Sequence, residues 1–199
     1  MLPRAPRRIN PYIQAALMGA ADCIKNYSKR SVDVFMCSSS SNWTVLEDLL
    51  ESVIVEKEQA KPVSFIHSIG NAASFYVSGQ LSLQGESLFL AEGSDYLAHM
   101  LLLAAVKMTA GSEAVMLGNL QLDKDRTESN WLLLGKNPDA AGTAKLSFES
   151  INKGKPVSGR PGTRPLTEFN QLVRPGVGPQ IIGSPEFQRQ SGLFIAVTR

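Results

Sequence analysis

Asn71-Ala72-Ala73-Ser74-Phe75-Tyr76-Val77-Ser78-Gly79-Gln80-Leu81-Ser82-Leu83-Gln84-Gly85-Glu86-Ser87-Leu88-Phe89-Leu90-Ala91-Glu92-Gly93-Ser94 is the stretch whose reading decides the fold. It begins as an amphipathic helix, turns at Gly85, and becomes a short apolar strand over Ser87 to Ala91. The small-residue turn Gly93-Ser94 then leads into a helix, Tyr96 to about Lys107, that is apolar on every side. A strand that stops at Gly-Ser and enters a buried helix sets a hydroxyl at a helix N-terminus, where backbone N–H groups favour an anion. Ser94 is therefore the candidate nucleophile. The competing reading makes Ser94 the N-cap, with Asp95 favouring the positive helix end. His99 follows five residues later, roughly one and a half turns on, and faces another side of the helix. Direct pairing of Ser94 with His99 does not follow from that geometry, and Asp95 would accept a proton only if burial raised its pKa.

Working outward, strand and helix alternate. Asn10-Pro11 is a helix-start signal, and Ile13, Ala16, Leu17, Ala20 and Ile24 recur at helical spacing behind it. Val32 to Cys37 reads as a buried strand ending in the serine turn Ser38 to Ser41. Thr44 and Glu47 form a capping box for a second helix running to about Gln59, and Pro62 breaks it. Downstream, Glu113 to Leu120, Trp131 to Leu134 and Ala144 to Ile151 read as further strands. Alternation up to residue 120 means parallel strands with crossover helices, hence an α/β layered domain. Beyond Lys153 glycine and proline become dense, and basic residues recur (Lys153, Lys155, Arg160, Arg164, Arg174). That composition describes an extended arm or a linker, the arm being preferred, with Leu193 to Val197 as a terminal strand.

The bulk numbers narrow the function classes. With 199 residues, 43% hydrophobic and 19% charged, the chain has room for one full-sized core. A net charge of +2 is too small for nucleic acid as main partner, and the basic clusters lack interleaved aromatics. Cys23 and Cys37 have no metal-like spacing and read as free thiols of a reducing compartment, so the cytoplasm is the expected location. His67 and His99 are the only histidines, which leaves no His-rich metal site, and no cofactor is expected. His67 reads as a structural histidine and Glu92 as a surface or interface carboxylate. The glycines at 70, 79, 85 and 93 carry no phosphate-binding spacing, and the serine run is no Walker loop. The apolar run Met100 to Val106 is too short to span a bilayer.

The order of elements resembles the N-terminal half of the β-ketoacyl synthase family, in the thiolase superfamily. Members carry an Asn-Ala-Ala-like helix, then Gly-Pro-Ser before a strand, then Thr-Ala-Cys at a buried helix start. Asn71-Ala72-Ala73, Gly85-Glu86-Ser87 and Ala91-Glu92-Gly93-Ser94 fall into that frame without a gap, and Trp131-Leu132-Leu133-Leu134-Gly135 resembles the run that opens the family's hairpin. The likeness covers roughly residues 30 to 150. It departs at the nucleophile, where Ser94 stands for cysteine, and at Glu86, where the family has proline. Neither the His-Gly-Thr motif nor the asparagine-containing glycine loop of the family's other half occurs here. Decarboxylative condensation needs a thioester nucleophile and groups that stabilise the oxyanion and enolate.

The resemblance implies a thiolase-like half, βαβαβαββ, with a mixed, mostly parallel sheet and helices packed on it. Residues 1–152 would form this half domain and 153–199 the basic arm. It implies a non-condensing pseudoenzyme of fatty-acid, polyketide or polyene biosynthesis, resembling the chain-length factors that partner an active ketosynthase. Association with a ketosynthase subunit or with itself would run through the strand Ser87 to Ala91. Phe75, Tyr76 and Phe89 are the expected tunnel or interface positions. Two alternatives stand beside it. One is an acyltransferase or thioesterase with Ser94 as nucleophile and His99, His67 or another chain as base. The other is a decayed half-synthase whose basic arm docks an acyl carrier protein.

Overall fold

The computed structural model describes residues 9–39, 42–91, 93, 95–122, 127–135, 145–150, 180–182 and 193–198, the last three segments as backbone. The chain forms two compact units, one of residues 1–91 with 111–134 and the other of 92–110 with 135–199.

The first unit is built on a four-stranded sheet. Helix α1 (Pro11–Cys23) starts as its sequence dictates: the Asn10 side chain accepts a 2.9 Å hydrogen bond from the Ile13 N–H, and Pro11 fills the first turn. Its face of Tyr12, Ile13, Ala16, Leu17 and Ala20 is buried. Strand β1 (Val32–Ser38) is buried at every position, which explains why its run is apolar but for Asp33 and the terminal Ser38. It pairs in parallel with β2 (Ser87–Ala91) on one side and β3 (Ala114–Leu122) on the other. Strand β4 (Thr127–Gly135) completes the order β2-β1-β3-β4. Only residues 123–126 join β3 to its neighbour β4, too few for a crossover, so that pair is antiparallel and the sheet is mixed.

Between β1 and β2 lie α2 (Trp43–Leu50), a π-helical turn (Glu51–Val55), α3 (Pro62–Ser68) and α4 (Ala72–Gln80). Val32, Val34, Met36, Ala114 and Met116 of the sheet form one core cluster with the buried faces of α1 and α4. Each large aliphatic side chain fully buried there stabilises the fold by about 1.5–3 kcal/mol. Close approach sets two glycines. A Cβ on Gly118 would stand 2.5 Å from Trp131 Cζ3, and one on Gly85 would run into the Val32 carbonyl. Buried Asp33 ties the start of β1 to the chain entering both neighbours: its Oδ1 accepts from Glu86 N at 2.7 Å and its Oδ2 from Ser112 Oγ.

Three local expectations differ. The second helix begins at Trp43 with Asn42 in the cap position, so Thr44 lies inside the first turn and caps nothing. The Asn42 side chain is drawn away to a tertiary partner, donating from Nδ2 to the His67 carbonyl at 2.6 Å. Pro62 does more than end a helix: it occupies the first turn of α3, where its fixed φ helps and its missing N–H is no loss. Helix α5 (Tyr96–Thr109) has Asp95 in the cap position, with no side-chain cap hydrogen bond, in place of the expected Ser94.

The second unit contains α5 and a three-stranded sheet. Strand β7 (Leu193–Thr198) runs between β5 (Lys145–Ser150) and β6 (Gln180–Ile182), antiparallel to both, with Phe148 opposite Ile195 and Ile181 opposite Ala196. Strands β5 and β7 stand where the sequence predicts them. Strand β6 falls in the glycine- and proline-dense segment and was not foreseen. Helix α5 buries Tyr96, Leu97, Ala98, Met100, Leu101 and Ala104, while Val106 is exposed.

Candidate functional site

In a parallel sheet the chain leaves each strand at its carboxyl end, and chemistry gathers there. Here Ser38 of β1 is opposite Ala91 of β2, and Cys37 is opposite Asn119 of β3. All three polar residues of this group, Cys37, Ser38 and Asn119, are buried, and Asn119 Nδ2 donates to Cys37 Sγ at 3.3 Å. Tyr12, at the start of α1, belongs to the same environment. Burial pushes its phenol above the ordinary value, and the Ser38 side chain opposes that rise. A thiol held this way is out of reach of a substrate. The other cysteine, Cys23, is pushed up to about 11 by burial and by the Asp22 carboxylate, so it is a thiol at neutral pH and a poor nucleophile.

A second cluster lies between α3 and α4. His67, the one buried residue of α3, places Nε2 3.1 Å from the Tyr76 hydroxyl, and the two rings meet edge to face with centroids 5.7 Å apart. Phe75 extends the group, its ring edge-on to Tyr76 at 6.2 Å. Phe75 itself is 75% exposed and stands at the surface. Tyr76 is half-buried. Phe89, on β2, is also half-buried and, like Tyr76, packs against the core cluster. The sequence named Phe75, Tyr76 and, as a structural histidine, His67, but not their pairing, because nine residues and a helix break separate His67 from Tyr76.

Ser94 and Glu92 lie outside the described residues. Beyond them, His99 on α5 turns Nδ1 back to the Asp95 carbonyl at 3.0 Å. A carbonyl takes only a donor, so Nδ1 carries a proton and donates it there. The ring is exposed. Among the described residues no three His, Cys, Asp or Glu side chains gather into a metal-ligating group, and no helix is long and apolar enough to cross a membrane.

Strand β2 forms one edge of the first sheet, with Ser87, Leu88 and Ala91 exposed. Ser78 of α4 reaches it through a 2.6 Å hydroxyl pair with Ser87. Leu88 on this edge and Phe75 on α4 are both exposed apolar side chains.

No protein-family profile matches the chain, and no curated protein matches it. Solved structures do. A complex of a ketosynthase with its chain length factor from Xenorhabdus doucetiae contains a chain that aligns with a TM-score of 0.66 at 13% identity, over 97% of this chain and 79% of that one. The ishigamide ketosynthase/chain length factor aligns with a TM-score of 0.57 at 12% identity, over 74% of this chain and 51% of that one. The chain has the thiolase-type α/β fold of the ketosynthases.

Proposed function

We propose that this chain is a non-condensing, ketosynthase-like protein that acts as a chain-length-factor-like or scaffold partner of an active ketosynthase in fatty-acid, polyketide or polyene-type biosynthesis. The observation that carries the reading is the match of 97% of the chain to a fold found in a ketosynthase–chain length factor complex. Local chemistry supports it. Ser94 replaces the family's cysteine, and the one fully buried thiol near the strand ends, Cys37, is occupied by Asn119. Pairing of the β2 edge, Ser87–Ala91, with a ketosynthase subunit or a second copy would cover Leu88 and complete the sheet. Residues 153–199 act in this reading as a basic arm beside the half domain 1–152, suited to an acidic carrier protein. Co-expression with a full-length ketosynthase, followed by light scattering on the purified complex, tests the proposal. A defined complex supports it, and two separate species oppose it.

One observation favours a second reading, a serine acyltransferase or thioesterase. The Asp95 carbonyl orients the His99 ring through Nδ1, as the partner of a general base does, five residues from Ser94. Intact mass after incubation with acyl-CoA and acyl-carrier thioesters separates the readings, since only this one predicts an adduct that Ser94→Ala abolishes.

A further inference from the structure

Helices α2 and α3 line a cleft of about 290 Å³, with Val45 and Leu49 as its apolar wall and five polar side chains around the rest. Small-molecule sites span roughly 300–1,000 Å³, so this one suits only a small and mostly polar occupant. Ser52 enters the cleft from the π-helical turn Glu51–Val55, an irregularity that often marks a functional site. Two of the five polar groups are already engaged. The Glu58 carboxylate accepts from Ser52 Oγ at 3.2 Å and lies 3.6 Å from Lys61 Nζ, which offsets the lysine charge. The other three are open. His67 is more than nine-tenths buried and held at two points, its carbonyl by Asn42 Nδ2 and its Nε2 by the Tyr76 hydroxyl. Nδ1 is then the ring nitrogen left without a partner among the described residues. The Asp48 carboxylate and the Ser64 hydroxyl, which line the same cleft, have none among them either.

These three groups select the ligand. The Asp48 carboxylate only accepts, and with Lys61 offset by Glu58 it is the uncompensated charge of the lining, so it calls for a cation. The surrounding field has the same sign: residues 43–69 hold five carboxylates (Glu47, Asp48, Glu51, Glu56, Glu58) against two ammonium groups (Lys57, Lys61). Among the described residues no three His, Cys, Asp or Glu side chains gather to ligate a metal, which points to an organic ammonium. His67 Nδ1 donates or accepts according to which way its Nε2 bonds to Tyr76, and the Ser64 hydroxyl can do both. A hydroxyl on the ligand satisfies either arrangement, whereas a carbonyl or a second ammonium satisfies only one. Methylene groups suit the wall of Val45 and Leu49. We infer that this cleft binds a small amino alcohol, its ammonium on Asp48, its methylenes along Val45 and Leu49, and its hydroxyl toward Ser64 and His67 Nδ1. The inference is independent of the ketosynthase reading and of the β2 edge.

The test titrates ethanolamine, aminopropanol and aminopentanol into the full, isotope-labelled chain and follows the protein by NMR. At least one should give shifts that saturate in the millimolar range or below, centred on the Asp48 and Ser64 amides and the His67 ring nitrogens. The matching diol, which lacks the charge, should bind about tenfold or more weakly, and the matching alkylamine, which lacks the hydroxyl, about threefold or more weakly. Asp48→Asn should cost about tenfold or more in affinity and Ser64→Ala about threefold. Glu47→Gln, at the neighbouring exposed carboxylate that does not line the cleft, should leave binding unchanged. Thermal unfolding of each variant checks that the fold is kept. The inference is overturned if no amino alcohol gives a saturable shift, or if the diol or the alkylamine binds as well as the amino alcohol. Equal losses in Asp48→Asn and Glu47→Gln would overturn it too, since they would report only the diffuse negative field of the segment.

Discussion

His67 Nε2 and the Tyr76 hydroxyl lie 3.1 Å apart and join α3 to α4 through the only residue that α3 buries. The same His67 receives the Asn42 side chain on its carbonyl, so three helices converge on one residue. Tyr76→Phe should therefore lower stability by about 0.5–1.5 kcal/mol, the net worth of one hydrogen bond. Asn42→Ala should act at the same place. Urea unfolding measures the loss, and amide exchange should show it concentrated in α3, with β1 and β3 unaffected at the level of local opening.

Gly118 lies against the six-membered ring of Trp131, and Gly19 of α1 meets the other end of the same indole. Ser129 Oγ holds the indole N–H at 2.8 Å and donates to the Ala15 carbonyl at 2.8 Å. Gly118→Ala is expected to destabilise the protein by about 1–3 kcal/mol through overpacking. Adding Trp131→Leu should recover part of that loss in a double-mutant cycle, because the clash disappears. A purely additive cycle would mean that the indole is not the obstacle.

Asp33 is buried and accepts from Glu86 N and Ser112 Oγ, anchoring the segments that enter β2 and β3. Asp33→Ala removes both anchors. Hydrogen bonds to a charged group contribute about 1.5–3 kcal/mol each, so this should be among the most damaging single changes in the sheet. Denaturant midpoints for Asp33→Ala and Ser112→Ala give the comparison, the second expected to be the milder.

The Cys23 thiol, pushed up to about 11 from an ordinary value of 9.0, sets a pH signature. The folded state holds this proton more tightly than the unfolded state does. The associated stability is thus complete below pH 9 and is lost as pH rises towards 11. Cys23→Ser should flatten that alkaline decline. Alkylation of the native protein with iodoacetamide should be slow at neutral pH and accelerate across the same window.

Much of the sheet was legible because its parallel strands read as short, mostly apolar runs: Val32 to Cys37 announced the buried β1, and Ser87 to Ala91 the edge strand β2. Helix α1 was legible because Asn10-Pro11 combines a side-chain acceptor with a preset φ. Helix α3 was not, since its Val63, Phe65 and Ile66 are exposed and so carry no amphipathic period. The cap of α2 misled for a related reason: Asn42 spends its side chain on His67, a partner 25 residues away. Of the site, the sequence reached Phe75, Tyr76 and a structural His67 but not the contact between His67 and Tyr76, which depends on how two short helices meet. Ser94, the most consequential residue of that reading, lies outside the described residues and waits on chemistry.

Sedimentation velocity on this chain mixed with a full-length ketosynthase is the most direct test of the central claim. The account predicts one heteromeric boundary, which Leu88→Lys on the β2 edge dissolves, and no acyl adduct on this chain. Independent sedimentation of the two proteins, together with an adduct that Ser94→Ala removes, would contradict the partner account and establish a serine acyltransferase or thioesterase in its place.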